Sequence, residues 1–407
     1  MTRSGPHPLA LHAATSSQNW AGAVAGLPLF LSGTLPVHPA LQQRAEALRK
    51  DMRDLDPEKL QIMVAAAAQT RLSDMLGGLR AYQQHPYRRK VPPVPLFTRL
   101  GTTEVRDYGT GLADDAPVVL AIPSLVNPAY ILDLKQDHSL MRMLAEQGIH
   151  GLLLDWTTPG VEETGFGLED YILKRLVPLI RQIQSRLRRK IHLLGYCMGG
   201  NLALAAAQIL QGGGRLGNLT LIATPWDFHR SQPPHLAALT AHFMAMAPFI
   251  RPPYIRQCDS VPINIMQMFF FSLDPTLSDR KFRKFYHLDP ASNQARHFVA
   301  IEAWANDGAP LAPNVTRDCL INWYQQNEPG KGRWKIGGEV IDPARITLPG
   351  HIITPGSDRI VPPASAMALV KKLPGFHHVT VDGGHVTMIA GQKAKTTLWH
   401  KIASYLK

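Results

Sequence analysis

The stretch Leu193-Leu194-Gly195-Tyr196-Cys197-Met198-Gly199-Gly200-Asn201-Leu202-Ala203-Leu204 decides how the rest of the chain is read. The largely apolar residues 191–194 read as a buried strand, and the alanine-rich residues 201–210 as a helix. Strand, tight turn and helix are the setting of a nucleophile elbow, whose usual form is G-x-S-x-G. Here cysteine stands where serine is usual. Such a turn strains the backbone of its central residue, so the flanking side chains must be small. Gly195 and Gly199 meet that need, and Gly200 widens the clearance. The sulfur would stand at the sheet edge, with the positive end of a helix behind it to favour the thiolate. A bare G-x-C-x-G also fits a buried structural cysteine, so the decision rests on the rest of the chain.

At 407 residues the chain is long enough for one large domain with insertions, or for two. A hydrophobic content of 45% and a charged content of 18% describe an ordinary globular protein. Cys197, Cys258 and Cys319 are far apart and show no C-x-x-C spacing. That argues against a disulfide framework or a zinc site and fits a reducing compartment, so a cytoplasmic location is expected. Residues 19–33 are apolar, but glycines and a proline interrupt them and no strongly basic segment precedes them, so neither a signal peptide nor a membrane span is expected. The net charge of +12 suits an anionic ligand or surface. The densest basic run, Arg186-Leu187-Arg188-Arg189-Lys190, closes a predicted helix, where cations complement the helix dipole. No nucleic-acid motif accompanies it, and no nucleic-acid partner is expected.

Residues 1–95 read as a separate helical region, with apolar Leu60, Met63, Ala67, Leu72, Leu76 and Leu79 at helical spacing and a proline-rich joint at 86–95. From residue 96 the period changes. Apolar runs at 116–122, 151–155, 191–194 and 219–223 alternate with helical stretches, which predicts βαβ units and a mostly parallel sheet with helices on both faces. In such sheets ligands bind beyond the carboxyl ends of the strands, so the loops at 123–128, 155–160, 195–200 and 224–227 share one edge. Residues 228–345, rich in Met, Phe, Pro and His, break the alternation and read as a helical cap inserted between two halves of the core, 96–227 and 346–407. Met266, Met268 and Phe269 to Phe271 either line an apolar channel or form core; Phe270 is the residue placed on an acyl-chain path.

After residue 350 the alternation resumes. A strand at 351–354 leads to Asp358 and one at 377–381 leads to His385. Nucleophile, acid and histidine in that order, each after a strand and in a Gly- or Pro-rich loop, give the chain order of the α/β-hydrolase fold. In this reading His385 takes the Cys197 proton and Asp358 orients the imidazole. The oxyanion donors are the Met198 N–H and one from the 123–127 loop, placed at Val126. Asp382 is a rival acid, and His377 and His378 are rival bases within or beside the strand. Candidate substrate-binding residues are Asn127, Tyr196, Arg359 and Phe270; no metal and no cofactor are expected.

The same residues carry a family resemblance. Residues 95–407 resemble a polyhydroxyalkanoate synthase of the α/β-hydrolase superfamily. The matching pieces are Pro123-Ser124-Leu125-Val126-Asn127-Pro128 with Tyr130-Ile131-Leu132-Asp133-Leu134, Asp155-Trp156, the Cys197 elbow, Trp304-Ala305-Asn306-Asp307, Trp323-Tyr324 and the loop around Asp358. The resemblance implies acyl transfer from a 3-hydroxyacyl-CoA thioester, with the growing chain held on Cys197 and coenzyme A present as part of the substrate. It also implies that Asp358 helps activate the 3-hydroxyl. The expected partners are the acyl-CoA, a polyester chain or granule surface, and a second copy or a synthase partner subunit. A cysteine hydrolase of the same fold, either a polyester depolymerase or an acyl-CoA thioesterase, and a catalytically silent granule-binding protein are the alternatives. The family commonly has His where Arg359 stands.

Overall fold

The computed structural model describes residues 3–230 and 263–407. The chain divides into two compact units: Met1–Tyr87 with Asp274–Val299, and Arg88–Leu273 with Ala300–Lys407.

The second unit is built on an eight-stranded sheet. Its strands are β1 (Leu96–Leu100), β2 (Thr103–Asp107), β3 (Val118–Ile122), β4 (His150–Asp155), β5 (Ile191–Tyr196), β6 (Leu216–Ile222), β9 (Gly350–Pro355) and β10 (His377–Val381); a separate short hairpin pairs β7 (Lys335–Ile336) with β8 (Glu339–Val340). The spatial order is β1-β2-β4-β3-β5-β6-β9-β10. Within this sheet β1–β2 and β2–β4 pair antiparallel and the remaining pairings are parallel. The six parallel strands therefore end on one edge, as the alternating sequence predicts. Central β3 is buried at every position, and β5 at all but one. Helices cover both faces of such a sheet, so its strands read as continuous apolar runs. Each fully buried Leu or Ile contributes roughly 1.5–3 kcal/mol relative to exposure. That large apolar term is what holds the loop edge in register.

The predicted elements recur with small shifts. The strand at 377–381 is found as β10. The predicted helix at 201–210 begins three residues earlier, at Met198, because the turn at Cys197 is tight enough for the helix to start at once. A long helical run covers 168–187, with a wider π turn at Tyr171–Leu176. The helix Leu9–Ala25 falls in the N-terminal region expected to be helical, and Leu277–Tyr286 in the stretch read as a helical cap.

In the first unit the helix Pro57–Gln84 packs on Leu277–Tyr286 and on Leu9–Ala25. Its buried face is Leu60, Ala68, Met75, Gly78, Leu79 and Tyr82, so the expected face is displaced: Met63 and Leu76 are exposed. Gly77-Gly78 explains the shift. A Cβ at Gly78 would lie 2.0 Å from the Phe282 carbonyl oxygen, so the two helix backbones approach closely there. Met75, Leu79 and Tyr82 then meet Phe282, Phe285, Ala295 and Val299. Residues Asp274–Val299, counted in the inserted cap from sequence, thus cluster with the N-terminal helices.

Candidate active site

Cys197 sits between β5 and the helix Met198–Leu210 with φ 57° and ψ −132°, a strained conformation for a residue with a side chain. Its own N–H bonds the Ile222 carbonyl at 2.9 Å, and its carbonyl accepts the Gly200 N–H at 2.9 Å. The glycines around it are required by space. An added Cβ would lie 2.4 Å from Gly200 Cα at Gly195, 2.0 Å from the Ile122 oxygen at Gly199, and 1.9 Å from Thr224 Oγ1 at Gly200. The elbow is therefore wedged between the ends of β3 and β6, and its strain is held by the sheet.

Asp358 and His385 meet by a second device. Beyond β9 and β10 the two loops stay zipped: the Gly356 N–H bonds the Val381 oxygen at 2.8 Å, and the Ser357 N–H bonds the Gly383 oxygen at 3.1 Å. Gly383 has φ 116°, a conformation that suits glycine. Asp358 Oδ1 accepts the N–H groups of Ile360 and Val361 at 2.8 and 2.9 Å. Its Oδ2 lies 2.6 Å from His385 Nδ1, and the Asp358 side chain has no exposure at all. His385 opens the helix His385–Ala390 and is buried. Burial alone would push its imidazolium down. The charges of Cys197 and Asp358, and hydrogen bonds to both, outweigh burial and hold it well above the ordinary histidine range. The three residues proposed from chain order therefore come together. The rivals do not join them: Asp382 and His377 are exposed, and His378 bonds Thr354 Oγ1 at 3.0 Å.

The other candidates are placed as follows. Met198 is the first residue of its helix, so its N–H has no acceptor within the helix. The Val126 N–H is engaged, donating to Ser124 Oγ at 3.2 Å; the neighbouring Leu125 N–H makes no hydrogen bond among the described residues. Tyr196 is not open to substrate. It is buried, its hydroxyl donates to the His385 carbonyl at 3.1 Å, and its ring stacks on the imidazole with centroids 5.3 Å apart. Alternation along β5 accounts for this: the residue before Cys197 faces into the sheet layer under His385. Asn127 is half-buried on the loop after β3. Arg359 is exposed and lines a small pocket with Arg230, Phe228, Leu273, Tyr324, Ile360 and others.

Of the Met/Phe segment, Met266 and Phe269 are core, Met268 is exposed, and Phe270 is half-buried against the same apolar cluster that Cys197 and Tyr324 touch. Tyr324, read from sequence only as part of the family resemblance and given no role there, is a further neighbour of the site. Burial pushes its hydroxyl pKa up, and the charge of Cys197 adds to the shift. Its ring meets Phe269 and Phe228 edge-on, at 4.7 and 5.0 Å. Cys319 is buried, and burial raises its thiol pKa. Cys258 lies outside the described residues. Among the described residues no His, Cys, Asp and Glu cluster could hold a metal, and no helix is long and apolar enough to cross a membrane.

The resemblance read from the motifs is borne out by known proteins. The chain is 24% identical over 296 residues to the poly(3-hydroxyalkanoate) polymerase subunit PhaC of Haloferax mediterranei, covering 72% of this chain and 58% of that one. The corresponding protein of Synechocystis is 29% identical over 296 residues, covering 71% of this chain and 77% of that one. That of Allochromatium vinosum is 26% identical over 307 residues, with 74% and 83% covered. The family profile described as the alpha/beta hydrolase fold matches residues 117–392, a span that contains Cys197, Asp358 and His385. With its sheet order and its elbow, the chain belongs to the α/β-hydrolase family.

Proposed function

We propose that this chain polymerises 3-hydroxyacyl groups from their coenzyme A thioesters, with Cys197 as the acyl carrier. The observation that carries the reading is the strained Cys197 facing a His385–Asp358 pair held at 2.6 Å, in a chain whose relatives are named poly(3-hydroxyalkanoate) polymerases. His385 takes the thiol proton, and the Cys197 sulfur attacks the thioester carbonyl. The oxygen that becomes negative is met by the Met198 N–H and by the open Leu125 N–H on the loop after β3. The carbon–sulfur bond to coenzyme A breaks, its sulfur takes the proton back from His385, and the acyl group remains on Cys197. The 3-hydroxyl of a second 3-hydroxyacyl-CoA then attacks that thioester and gives its proton to His385. The carbon–sulfur bond to Cys197 breaks, the Cys197 sulfur takes that proton, and the chain, now one unit longer on coenzyme A, acylates Cys197 again as before.

In this scheme Asp358 acts through His385. Both of its oxygens already accept hydrogen bonds and its side chain is sealed from solvent, which leaves it no face for a substrate hydroxyl. The help in activating the 3-hydroxyl that the family resemblance implies for Asp358 would thus run through His385. Incubation with 3-hydroxybutyryl-CoA tests the proposal. Coenzyme A release with polymer formation is expected, and both should vanish in Cys197→Ala. Release of free 3-hydroxybutyrate without polymer would make the protein a hydrolase. No release in the intact protein would make it a binding protein.

A further inference from the structure

In the proposed scheme the loop 123–128 carries one of the two oxyanion donors, and two tryptophans outside the catalytic trio hold its two ends. Trp156, just beyond β4, donates its indole N–H to the Pro123 carbonyl at 3.0 Å. Trp304, near the end of the helix Asn293–Asn306, donates its indole N–H to the Pro128 carbonyl at 2.8 Å. Both rings are buried, at 4% and 6% exposure. The same two segments are anchored elsewhere. The Trp156 ring meets Tyr171 edge-on at 5.6 Å, the Tyr130 hydroxyl donates to Asp307 Oδ2 at 3.0 Å, and Gln267 Nε2 donates to the Ala305 carbonyl at 3.1 Å.

An indole in this unit need not bond. Trp226 and Trp323 are buried in the same core with indole nitrogens that make no hydrogen bond among the described residues. Packing alone therefore does not explain why Trp156 and Trp304 both donate to this loop. The loop begins and ends in proline and lies against the elbow: a Cβ at Gly199 would sit 2.6 Å from the Pro123 oxygen. Displacing either proline carbonyl would move the Leu125 and Val126 amides relative to Met198.

We propose that Trp304 and Trp156 are positioning residues that clamp the loop after β3 and thereby fix its backbone donor against Cys197. This rests on the reading of the site as one of acyl transfer. A donor displaced by a fraction of an ångström still permits attack by sulfur but stabilises the tetrahedral oxyanion less.

Trp304→Phe and Trp156→Phe keep a ring and remove the N–H. Two reactions of Cys197 are compared. One is acylation, by 4-nitrophenyl butyrate and by 3-hydroxybutyryl-CoA. The other is alkylation by iodoacetamide, which forms no oxyanion. Each variant should acylate about tenfold or more slowly, chiefly in kcat, while alkylation stays at the wild-type rate. Tyr130→Phe, which removes an exposed tie and no indole, should lower the same ratio less. Unchanged acylation, or equal losses in acylation and alkylation, would overturn the clamp. A wild type that releases nitrophenolate but not coenzyme A would defeat the polymerase reading, and the ester series would still decide the clamp. A wild type inert to both acyl donors would overturn both.

Discussion

Gly200 and Gly78 make the same physical demand in two regions of the molecule. A Cβ at the first would lie 1.9 Å from Thr224 Oγ1, and at the second 2.0 Å from the Phe282 oxygen. In the helical unit the space gained lets two helices close on an aromatic core of Tyr82, Phe282, Phe285 and Phe298. At the sheet edge it lets a strained cysteine stand between two strands, facing a buried, hydrogen-bonded carboxylate and imidazole. Close backbone approach is thus shared by both regions. What separates them is where the polar groups go. The elbow has an ionisable trio linked side chain to side chain in a buried site, whereas the groups that meet at the Gly78 contact are apolar and the Asp74–His287 pair lies at its more exposed edge. A glycine pair in sequence signals tight packing, and it signals chemistry only with such groups beside it.

The sharpest way to break the contrast is Asp358→Asn. It preserves shape but removes the charge that holds His385 high and orients it. Acyl transfer should fall on the order of 10⁴-fold, by analogy with the triad aspartate, while melting temperature changes little. A loss below tenfold in single-turnover coenzyme A release would show that the carboxylate is not part of the machinery.

In the helical unit the matching change is Gly78→Ala. The Phe282 backbone must give way, at about 1–3 kcal/mol or more. Helical signal should melt earlier, and iodoacetamide should still label Cys197 at the wild-type rate. Unaltered melting would mean that the close helix approach does not hold.

The same unit should weaken in acid. Burial lowers the His12 pKa to about 4, with the Lys281 and His7 charges adding and a bond to the His7 carbonyl opposing. The neutral ring fits its partners: Nε2 lies 3.2 Å from that carbonyl and Nδ1 lies 2.8 Å from Ser278 Oγ. The unfolded chain takes up the proton nearer pH 6.5, so the stabilisation is complete above that pH. It is lost as pH falls from 6.5 to 4, by at most about 3 kcal/mol. Denaturant melts across that window should show a slope that His12→Gln flattens; parallel slopes would count against it.

A smaller effect is expected for Tyr196→Phe, which removes the hydroxyl that bonds the His385 carbonyl and leaves the stacked ring. About 0.5–1.5 kcal/mol is at stake, so kcat should drop severalfold with KM unchanged. A rise in KM alone would return Tyr196 to substrate contact. Smallest is Arg359→Gln. Arg359 is exposed beside Arg230 in the pocket, so KM for the acyl-CoA should rise a few-fold at low salt and the difference should fade near physiological ionic strength, where the Debye length is about 8 Å. An equal change on an uncharged ester would point to the Asp358 loop instead.

The sequence by itself determined the β-and-α alternation, the elbow and the order of Cys197, Asp358 and His385, because apolar period, glycine sterics and chain order are local or one-dimensional. It did not reveal that Gly77-Gly78 sets the helix contact, that Asp274–Val299 belongs with the N-terminal helices, or that Tyr196 braces His385. Nor did it show that the Val126 amide is already taken by Ser124, or that two indoles reach the prolines of one loop. Those were decided by the tertiary structure. Each is a pairing of groups distant in sequence or turned by a single backbone angle, and pairings of that kind are fixed only when the sheet closes and buried polar groups must find partners.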